Sequence, residues 1–166
     1  MKILKFGGKS LSNGDGINKV VAIITDKVNQ GEEIAIVVSA RGNATDELEE
    51  ILSIASKNGD YKPLFEDFKK YQQDEYENVD LSEEFNVLEK LFEGVSLIGD
   101  YSNKIKDQVL SKGELLSAKL LTAILVENGI NARFADTREL LKTDSKFGDA
   151  QPLEKKKKKN VINYFK

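Results

Sequence analysis

The sequence predicts an α/β domain built around a mainly parallel sheet. Two apolar segments, residues 2–6 and 33–39, flank a stretch with apolar residues at helical spacing, which together make a strand–helix–strand unit. Each strand leads into a glycine-containing loop, at residues 7–8 and 39–45. A helical crossover joins parallel strands of one sheet, and open parallel sheets bind ligands in the loops at the carboxyl ends of their strands.

The first half of the chain supplies the elements of this unit. The first strand ends at the glycine pair, and Gly31 ends the first helix. The apolar residues of that helix are Ile17, Val20, Val21, Ile24 and Val28. The continuous β-branched run at 33–39 is typical of a strand buried on both faces. Asp46 is placed to cap the next helix.

The second half is predicted to be mostly helical. Residues 58–112 keep a helical but more polar pattern, which predicts two or three helices forming a cap beside the sheet. A strongly apolar helix is expected over 111–127, followed by a third strand at 131–135. One short helix is expected within 136–152. The lysine run at 155–159 predicts a solvated helix face.

Composition excludes several classes of function. The 166 residues include no cysteine and no histidine, which excludes disulfides, thiolate catalysis, Cys/His zinc sites and histidine acid–base chemistry. The formal net charge of −3 gives no global attraction to nucleic acid or to an anionic membrane. No apolar run is long enough to span a bilayer, and the amino terminus is unlike a secretory signal, so a cytoplasmic protein is expected.

The first candidate site is the segment Lys-Phe-Gly-Gly-Lys-Ser at residues 5–10. Glycines after a strand let the backbone approach a ligand, and their amides can bind phosphate. A neighbouring lysine adds positive charge for phosphate oxygens. A P-loop is excluded because it requires a glycine where this chain has Ile3. The glycine pair alone is equally consistent with a tight turn that binds nothing.

Two further segments are candidates. Residues 39–45 place the hydroxyl groups of Ser39 and Thr45 in the loop after the second strand, although an ordinary turn has the same composition. Lys112-Gly113-Glu114 is predicted to open a helix. There the Glu114 carboxylate either caps the helix or binds a substrate ammonium group, and the residues alone leave both interpretations open.

Taken in order, these segments resemble the aspartate kinases of the amino acid kinase family. The family patterns are Lys-Phe-Gly-Gly-Thr-Ser, Val-Ser-Ala followed by Thr and Asn or Asp, Gly-Glu-Leu-Xaa-Ser, and a later Asp-Xaa-Arg with Phe-Gly. The matching segments here are residues 5–10, 38–40 with 45–46, 113–117, and 136–138 with 146–148. The matches keep their spacing across the whole chain.

The resemblance implies a three-layer α/β/α sandwich of the amino acid kinase type. It implies that residues 1–166 are the N-terminal part of that domain, truncated after its third strand, with about 58–112 as a helical insert. The implied reaction transfers the γ-phosphoryl group of ATP, bound with Mg²⁺, to the β-carboxylate of L-aspartate, the first step towards lysine, threonine and methionine. The full-length enzyme is expected to be a homo-oligomer.

The resemblance also implies roles for individual residues. The phosphate site comprises Lys5, which contacts the transferring phosphate as the catalytic residue, together with Phe6, Gly7, Gly8 and Ser10. The aspartate site comprises Ser39, Thr45, Glu114, Phe147 and Gly148, with Glu114 paired to the α-ammonium group. Lys9 departs from the family's hydroxyl residue at that position. The family's Gly-Arg-Gly-Gly-Ser-Asp and Thr-Asp-Xaa-Xaa-Gly segments are not found in these residues, so the chain is expected to be inactive alone.

Two other functions stay open. The first is a naturally short, non-catalytic module that binds aspartate or pairs with a catalytic subunit. The second is another kinase of the same fold, acting on glutamate or carbamate. The pattern at residues 113–117 and the long helical insert before it favour an aspartate kinase.

Overall fold

The computed structural model describes residues 1–12, 14–73 and 76–165. Within these ranges the chain forms a small sheet with helices packed against one of its faces. In chain order the elements are β1 (Lys2–Phe6), a 3-10 helix (Gly8–Leu11), α1 (Asp15–Asn29), β2 (Ile34–Val38), α2 (Ala44–Ser56), α3 (Lys62–Gln73), α4 (Ser82–Ile98), α5 (Asn103–Glu127), α6 (Thr137–Leu140) and α7 (Glu154–Tyr164). None of the helices in the described part is long and apolar enough to cross a membrane.

The strand–helix–strand unit forms as predicted. β1 and β2 pair in parallel, with Lys2 opposite Ile34 and Phe6 opposite Val38. The crossover helix α1 ends just before Gly31, whose φ of 76° is a conformation that glycine adopts without steric cost. The loops after β1 and β2 therefore leave the sheet at the same end.

The two faces of the sheet differ in their burial. Phe6, Ile36 and Val38 pack against the hydrophobic core. On the strands' other face Ile3 is 70% exposed and Val37 is 46% exposed. The prediction that β2 is buried on both faces is therefore wrong, because the described helices pack against one face of the sheet.

The third predicted strand, at 131–135, does not form. The amide of Ala132 donates to the carbonyl of Ile130 at 2.7 Å, a tight local turn that replaces ladder pairing. Residues 134–135 lie on a cavity that residues 36–38 also line. Within the described ranges the sheet therefore has two strands, and the third segment borders β2 without pairing with it.

The hydrophobic core lies mainly among α2, α4 and α5. Fully buried residues come from each of these helices: Leu48 and Leu52, Leu88 and Phe92, Leu116 and Leu120. Burying one such side chain stabilises the fold by roughly 1.5–3 kcal/mol. Phe65 of α3 meets the Phe92 ring edge-on, with 5.2 Å between centroids, and so joins α3 to this core.

The helices predicted within 58–112 are confirmed as α3, α4 and the beginning of α5. One helix start was placed wrongly, because α5 begins at Asn103 rather than near residue 111. Ser102 caps it by accepting from the amide of Ile105 at 3.4 Å. The apolar pattern predicts too late a start because the first two turns of α5 are largely polar, whereas its buried positions begin at Val109.

A second boundary also differs from its prediction. Asn43, not Asp46, occupies the N-cap position of α2, and Asp46 lies in the first helical turn. A carboxylate there still interacts favourably with the positive end of the helix. The short helix predicted within 136–152 is α6, and α7 contains the lysine run, with Lys156, Lys158 and Lys159 exposed as predicted.

Candidate functional site

The backbone segments of the three predicted motifs meet around Ala40. The amide of Gly42 donates to the carbonyl of Gly8 at 3.1 Å. A Cβ atom on Gly8 would clash with the Ala40 carbonyl oxygen and lie 3.0 Å from that of Gly42. A Cβ atom on Gly113 would lie 2.8 Å from the Ala40 methyl group. Glycine on both sides therefore allows the two loops and α5 to come into contact.

The loop after β2 is held from inside by Arg41, whose side chain is fully buried. Its Nε donates to the carbonyl of Leu11 at 2.9 Å, and its Nη1 donates to the carbonyls of Tyr71 and Gln72 at 3.1 and 2.9 Å. The guanidinium group also lies 5.2 Å from the centre of the Tyr71 ring. Arg41 thus ties this loop to the 3-10 helix and to α3, a role that the sequence analysis missed.

The predicted phosphate loop presents two exposed lysines at the end of β1. Neither Lys5 nor Lys9 forms an ion pair with any residue that the structure describes. Gly7 has open space around its Cα, and its carbonyl accepts from the amide of Ser10 at 3.0 Å. Phe6 packs its side chain against the core, so its backbone alone faces the loop. Two cations beside an open glycine suit an anionic ligand.

Glu114 lies mid-helix on α5 and lines a cavity of about 300 Å³. The interpretation of Glu114 as a helix cap is therefore excluded. Its carboxylate forms no ion pair with a described residue. The cavity is bounded by the end of β2, by Ser111 and by residues 134–138. Glu114 thus places an unneutralised carboxylate in a cavity of suitable size for a small polar molecule.

The other predicted substrate residues lie outside the lining of this cavity. Ser39 directly follows the cavity residue Val38, and its amide donates to the carbonyl of Phe6 at 3.1 Å. Thr45 lies in the first turn of α2. Both side chains are half-buried. They therefore stand at the junction of the two loops rather than beside Glu114 in the cavity.

Phe147 and Gly148 contact the beginning of α5. The amide of Gly148 donates to Asp107 at 2.8 Å, and the Lys104 ammonium group lies 5.8 Å from the centre of the Phe147 ring. Asp107 precedes Glu114 by seven residues, which is about 10 Å along the helix. In this structure both residues are exposed and lie outside the cavity lining.

A second charged pair borders the cavity. The carboxylate of Asp136 accepts from the amide of Arg138 at 2.9 Å and from its Nη2 at 2.6 Å. This hydrogen bonding from Arg138 lowers the pKa of Asp136 and raises the pKa of Arg138. Both residues line the cavity together with Glu114. The cavity wall therefore carries a guanidinium group as well as the Glu114 carboxylate, which pairs with no residue that the structure describes.

A charge cluster lies between α4 and α5, in which Glu84 and Lys112 are buried and Lys119 is partly exposed. Glu84 accepts hydrogen bonds from Lys112 and from Lys119, the latter at 2.5 Å. Burial acts to raise the pKa of Glu84, but the two ammonium groups outweigh it and leave the pKa lowered. The sequence pattern assigns Glu84 no role, because a glutamate in a polar helical stretch ordinarily faces water.

Comparison with known sequences gives a consistent result. A sequence model of the amino acid kinase family matches residues 1–166. The bifunctional aspartokinase/homoserine dehydrogenase of Buchnera aphidicola subsp. Acyrthosiphon pisum is 28% identical, over 98% of this chain and 22% of that protein. Lysine-sensitive aspartokinase 3 of Escherichia coli is 27% identical, over 90% of this chain and 34% of its own length. The chain thus spans about a fifth to a third of these relatives.

Solved structures show the same fold. E. coli aspartokinase III in complex with aspartate and ADP, in its R-state, superposes with a TM-score of 0.81 at 24% identity, covering 99% of this chain and 37% of that one. The T-state complex of the same enzyme with lysine and aspartate gives a TM-score of 0.80 at 23% identity, covering 99% and 38%. The amino acid kinase fold predicted from the sequence is therefore confirmed for this chain.

Proposed function

Because the chain belongs to the amino acid kinase family, we propose that it is the N-terminal part of the kinase domain of an aspartate kinase. Residues 58–112 are the helical insert of that domain. The whole enzyme transfers the γ-phosphoryl group of ATP to the β-carboxylate of L-aspartate. This proposal is supported by the names of the relatives and by the site, where two loops and the Glu114 turn of α5 converge.

The observation that carries the substrate assignment is the free Glu114 carboxylate in its cavity. A carboxylate that no described cation neutralises is a suitable partner for the α-ammonium group of an amino acid, since charge-assisted hydrogen bonds are among the stronger ones. The hydroxyl groups of Ser39 and Thr45 complete the aspartate site from the neighbouring loop. Phe147 and Gly148 close over the substrate, which requires their loop to leave its present contact with Asp107.

The proposed reaction requires no general base. The β-carboxylate is an anion at neutral pH, so one of its oxygens attacks the γ-phosphorus without losing a proton. The bond from that phosphorus to the bridging oxygen breaks, and ADP leaves. The protein has to bring two anions together and stabilise spreading negative charge. Lys5 does this at the transferring phosphate, with the amides of Gly7 and Gly8 and the hydroxyl group of Ser10 as the phosphate loop.

The residues present fit the phosphate part of a nucleotide. Lys5 and Lys9 are exposed and lack ionic partners in the described part of the chain, and a Cβ atom on Gly7 would meet no atom within 4 Å. Magnesium, when bound to the phosphates, offsets their charge. The described residues contain no group of three carboxylate, histidine or cysteine side chains arranged to hold a metal ion. We place Mg²⁺ on the nucleotide phosphates.

A ¹⁵N–¹H NMR titration with L-aspartate tests the amino-acid site. We expect amide shifts at Ser39, at Thr45 and across 113–117, and we expect Glu114→Ala to abolish them because the ammonium partner is gone. Glu127→Ala is the matched control, since Glu127 is an exposed glutamate at the far end of the same helix. Absence of wild-type shifts at millimolar aspartate would contradict the assignment. Larger shifts with L-glutamate would favour a different kinase of this fold.

The isolated chain is expected to bind aspartate without phosphorylating it. The glycine-rich and nucleotide-loop segments seen in aspartate kinases are not among these residues. A coupled assay for ADP release in the presence of ATP, Mg²⁺ and aspartate measures this. Turnover that disappears in the Lys5→Ala variant would instead show that these residues hold a complete active site.

A further inference from the structure

The buried cluster of Glu84, Lys112 and Lys119 takes no part in the chemistry proposed above. The side chains of Glu84 and Lys112 are 7% and 10% exposed, and they form an ion pair inside the protein. Lys119 donates to the second carboxylate oxygen of Glu84 at 2.5 Å. Removing charges from water is costly, and apolar residues of similar size often serve stability as well or better. Stability alone therefore does not account for this cluster.

The position of the cluster on α5 indicates what it does. Successive residues of an α-helix are rotated by about 100°, so Lys112 and Lys119 share a face and Glu114 lies about 200° from Lys112. Gly113 faces Ala40 between these two directions. One turn of α5 thus presents Lys112 to α4, Gly113 to the loop after β2, and Glu114 to the cavity.

We propose that Glu84 is a positioning residue for the substrate site: it holds α5 through Lys112 and Lys119 so that Glu114 faces the cavity. This inference rests on the proposed function. One carboxylate that binds two lysines seven residues apart restrains both the rotation of α5 and its movement along its axis, because either displacement lengthens a hydrogen bond.

The cavity wall is electrostatically linked to the cluster. Arg138 has the largest effect in lowering the pKa of Asp136, and the charge of Lys112 adds to it. The charge of Glu84 contributes to raising the pKa of Arg138. Charges on either side of the Glu114 turn are therefore close enough to influence one another. Through Glu84, the helical insert takes part in arranging the site.

The test compares two ion pairs on the same helix. Glu84→Gln removes the cluster's negative charge, whereas Glu49→Gln breaks the pair between Glu49 of α2 and Lys106, which lies eight residues before Glu114. We expect Glu84→Gln to move the ligand-free amide signals of 113–117 and to raise the Kd for L-aspartate about tenfold, because small displacements of binding groups are costly. We expect Glu49→Gln to do neither.

A second variant separates positioning from stability. Glu84→Gln leaves Lys112 without its ionic partner and leaves Lys119 paired only with the exposed Glu83, at 3.4 Å. The triple change of Glu84, Lys112 and Lys119 to methionine instead replaces the whole cluster with apolar side chains. It is expected to unfold at a urea concentration equal to or above that of the wild type, yet to bind aspartate about tenfold more weakly. A purely structural role predicts that stability and affinity change together.

The outcomes distinguish this inference from the proposed function. Ligand-free amide signals at 113–117 that match the wild type in both variants would overturn the positioning role, as would a triple variant that binds aspartate with unchanged affinity. If the wild-type chain binds no aspartate, the proposed function fails, while the ligand-free signals still decide whether Glu84 positions α5.

Discussion

Gly7 and Gly8 are neighbours that differ in their tolerance for a side chain. A Cβ atom on Gly8 would meet the backbone carbonyls of Ala40 and Gly42, whereas one on Gly7 would meet nothing within 4 Å. Gly7 has a φ of −80°, which any residue adopts. We therefore expect Gly8→Ala to destabilise the fold by about 1–3 kcal/mol, as overpacking does, and Gly7→Ala to change it by less than about 0.5 kcal/mol. Urea unfolding of the two variants measures both free energies. Equal unfolding midpoints for Gly8→Ala and Gly7→Ala would contradict the tight contact of Gly8 with the loop after β2.

At the scale of elements, α4 and α5 are joined by charge as well as by apolar contacts. Glu84 has a pKa below its usual value of 4.5 because the hydrogen bonds from Lys112 and Lys119 outweigh the effect of burial. A carboxyl group whose pKa is lowered by folding stabilises the native state above its unfolded pKa, and this contribution is lost as the pH falls through the folded pKa. Stability should thus decline on acidification below about pH 4.5.

Urea midpoints measured between pH 6 and pH 3 test this expectation for wild type and Glu84→Gln. Other carboxylates with lowered pKa values, such as Asp136, titrate in both proteins, so the difference between the two curves isolates Glu84. The variant should be less stable near neutral pH and should lose less stability on acidification. If the urea midpoints of the two proteins fall in parallel over this pH range, the ion pairs of Glu84 do not stabilise the contact between α4 and α5.

For the whole molecule, the unequal distribution of buried surface predicts unequal protection. The core lies among the helices, while the described sheet has two strands and an exposed face that includes Ile3 and Val37. Regions with few buried contacts open at lower free energy than the global unfolding. Native-state hydrogen exchange should therefore be faster for amides of β1 than for those at the buried positions of α5. Equally slow exchange in both would show that sheet and helices open as one unit.

Local patterns predicted the parts of this fold that local interactions determine. The alternation of strand, helix and strand up to residue 38 is explicit in residue order, and so are the two loops that follow the strands. The predicted start of α5 is too late because its first two turns are largely polar. Gly113 lies inside the helix at a cost of about 1 kcal/mol, which its close contact with Ala40 requires. The third strand does not form because residues 130–132 make a local turn beside β2, which the apolar spacing of 131–135 does not reveal.

In the candidate site too, local motifs are visible in the sequence, whereas contacts between distant residues are not. Glu114 and the two loops were found from motifs, but the burial of Arg41 depends on carbonyl groups of Leu11, Tyr71 and Gln72, which are far apart in the chain. The role of Glu84 likewise depends on a helix that begins some twenty residues later. Residues that act through distant partners leave no periodic pattern, and sequence reasoning therefore passes over them.

The contact of Gly8, Ala40 and Gly113 has a consequence for divergence. Main-chain atoms and one methyl group form this junction. A larger side chain at any of its three residues would therefore separate the segments that meet there. Under the proposed function, new preferences for a different acid would arise among the surrounding side chains, at Glu114 and along 134–138. A library designed to change the accepted substrate should vary those positions and leave the junction untouched.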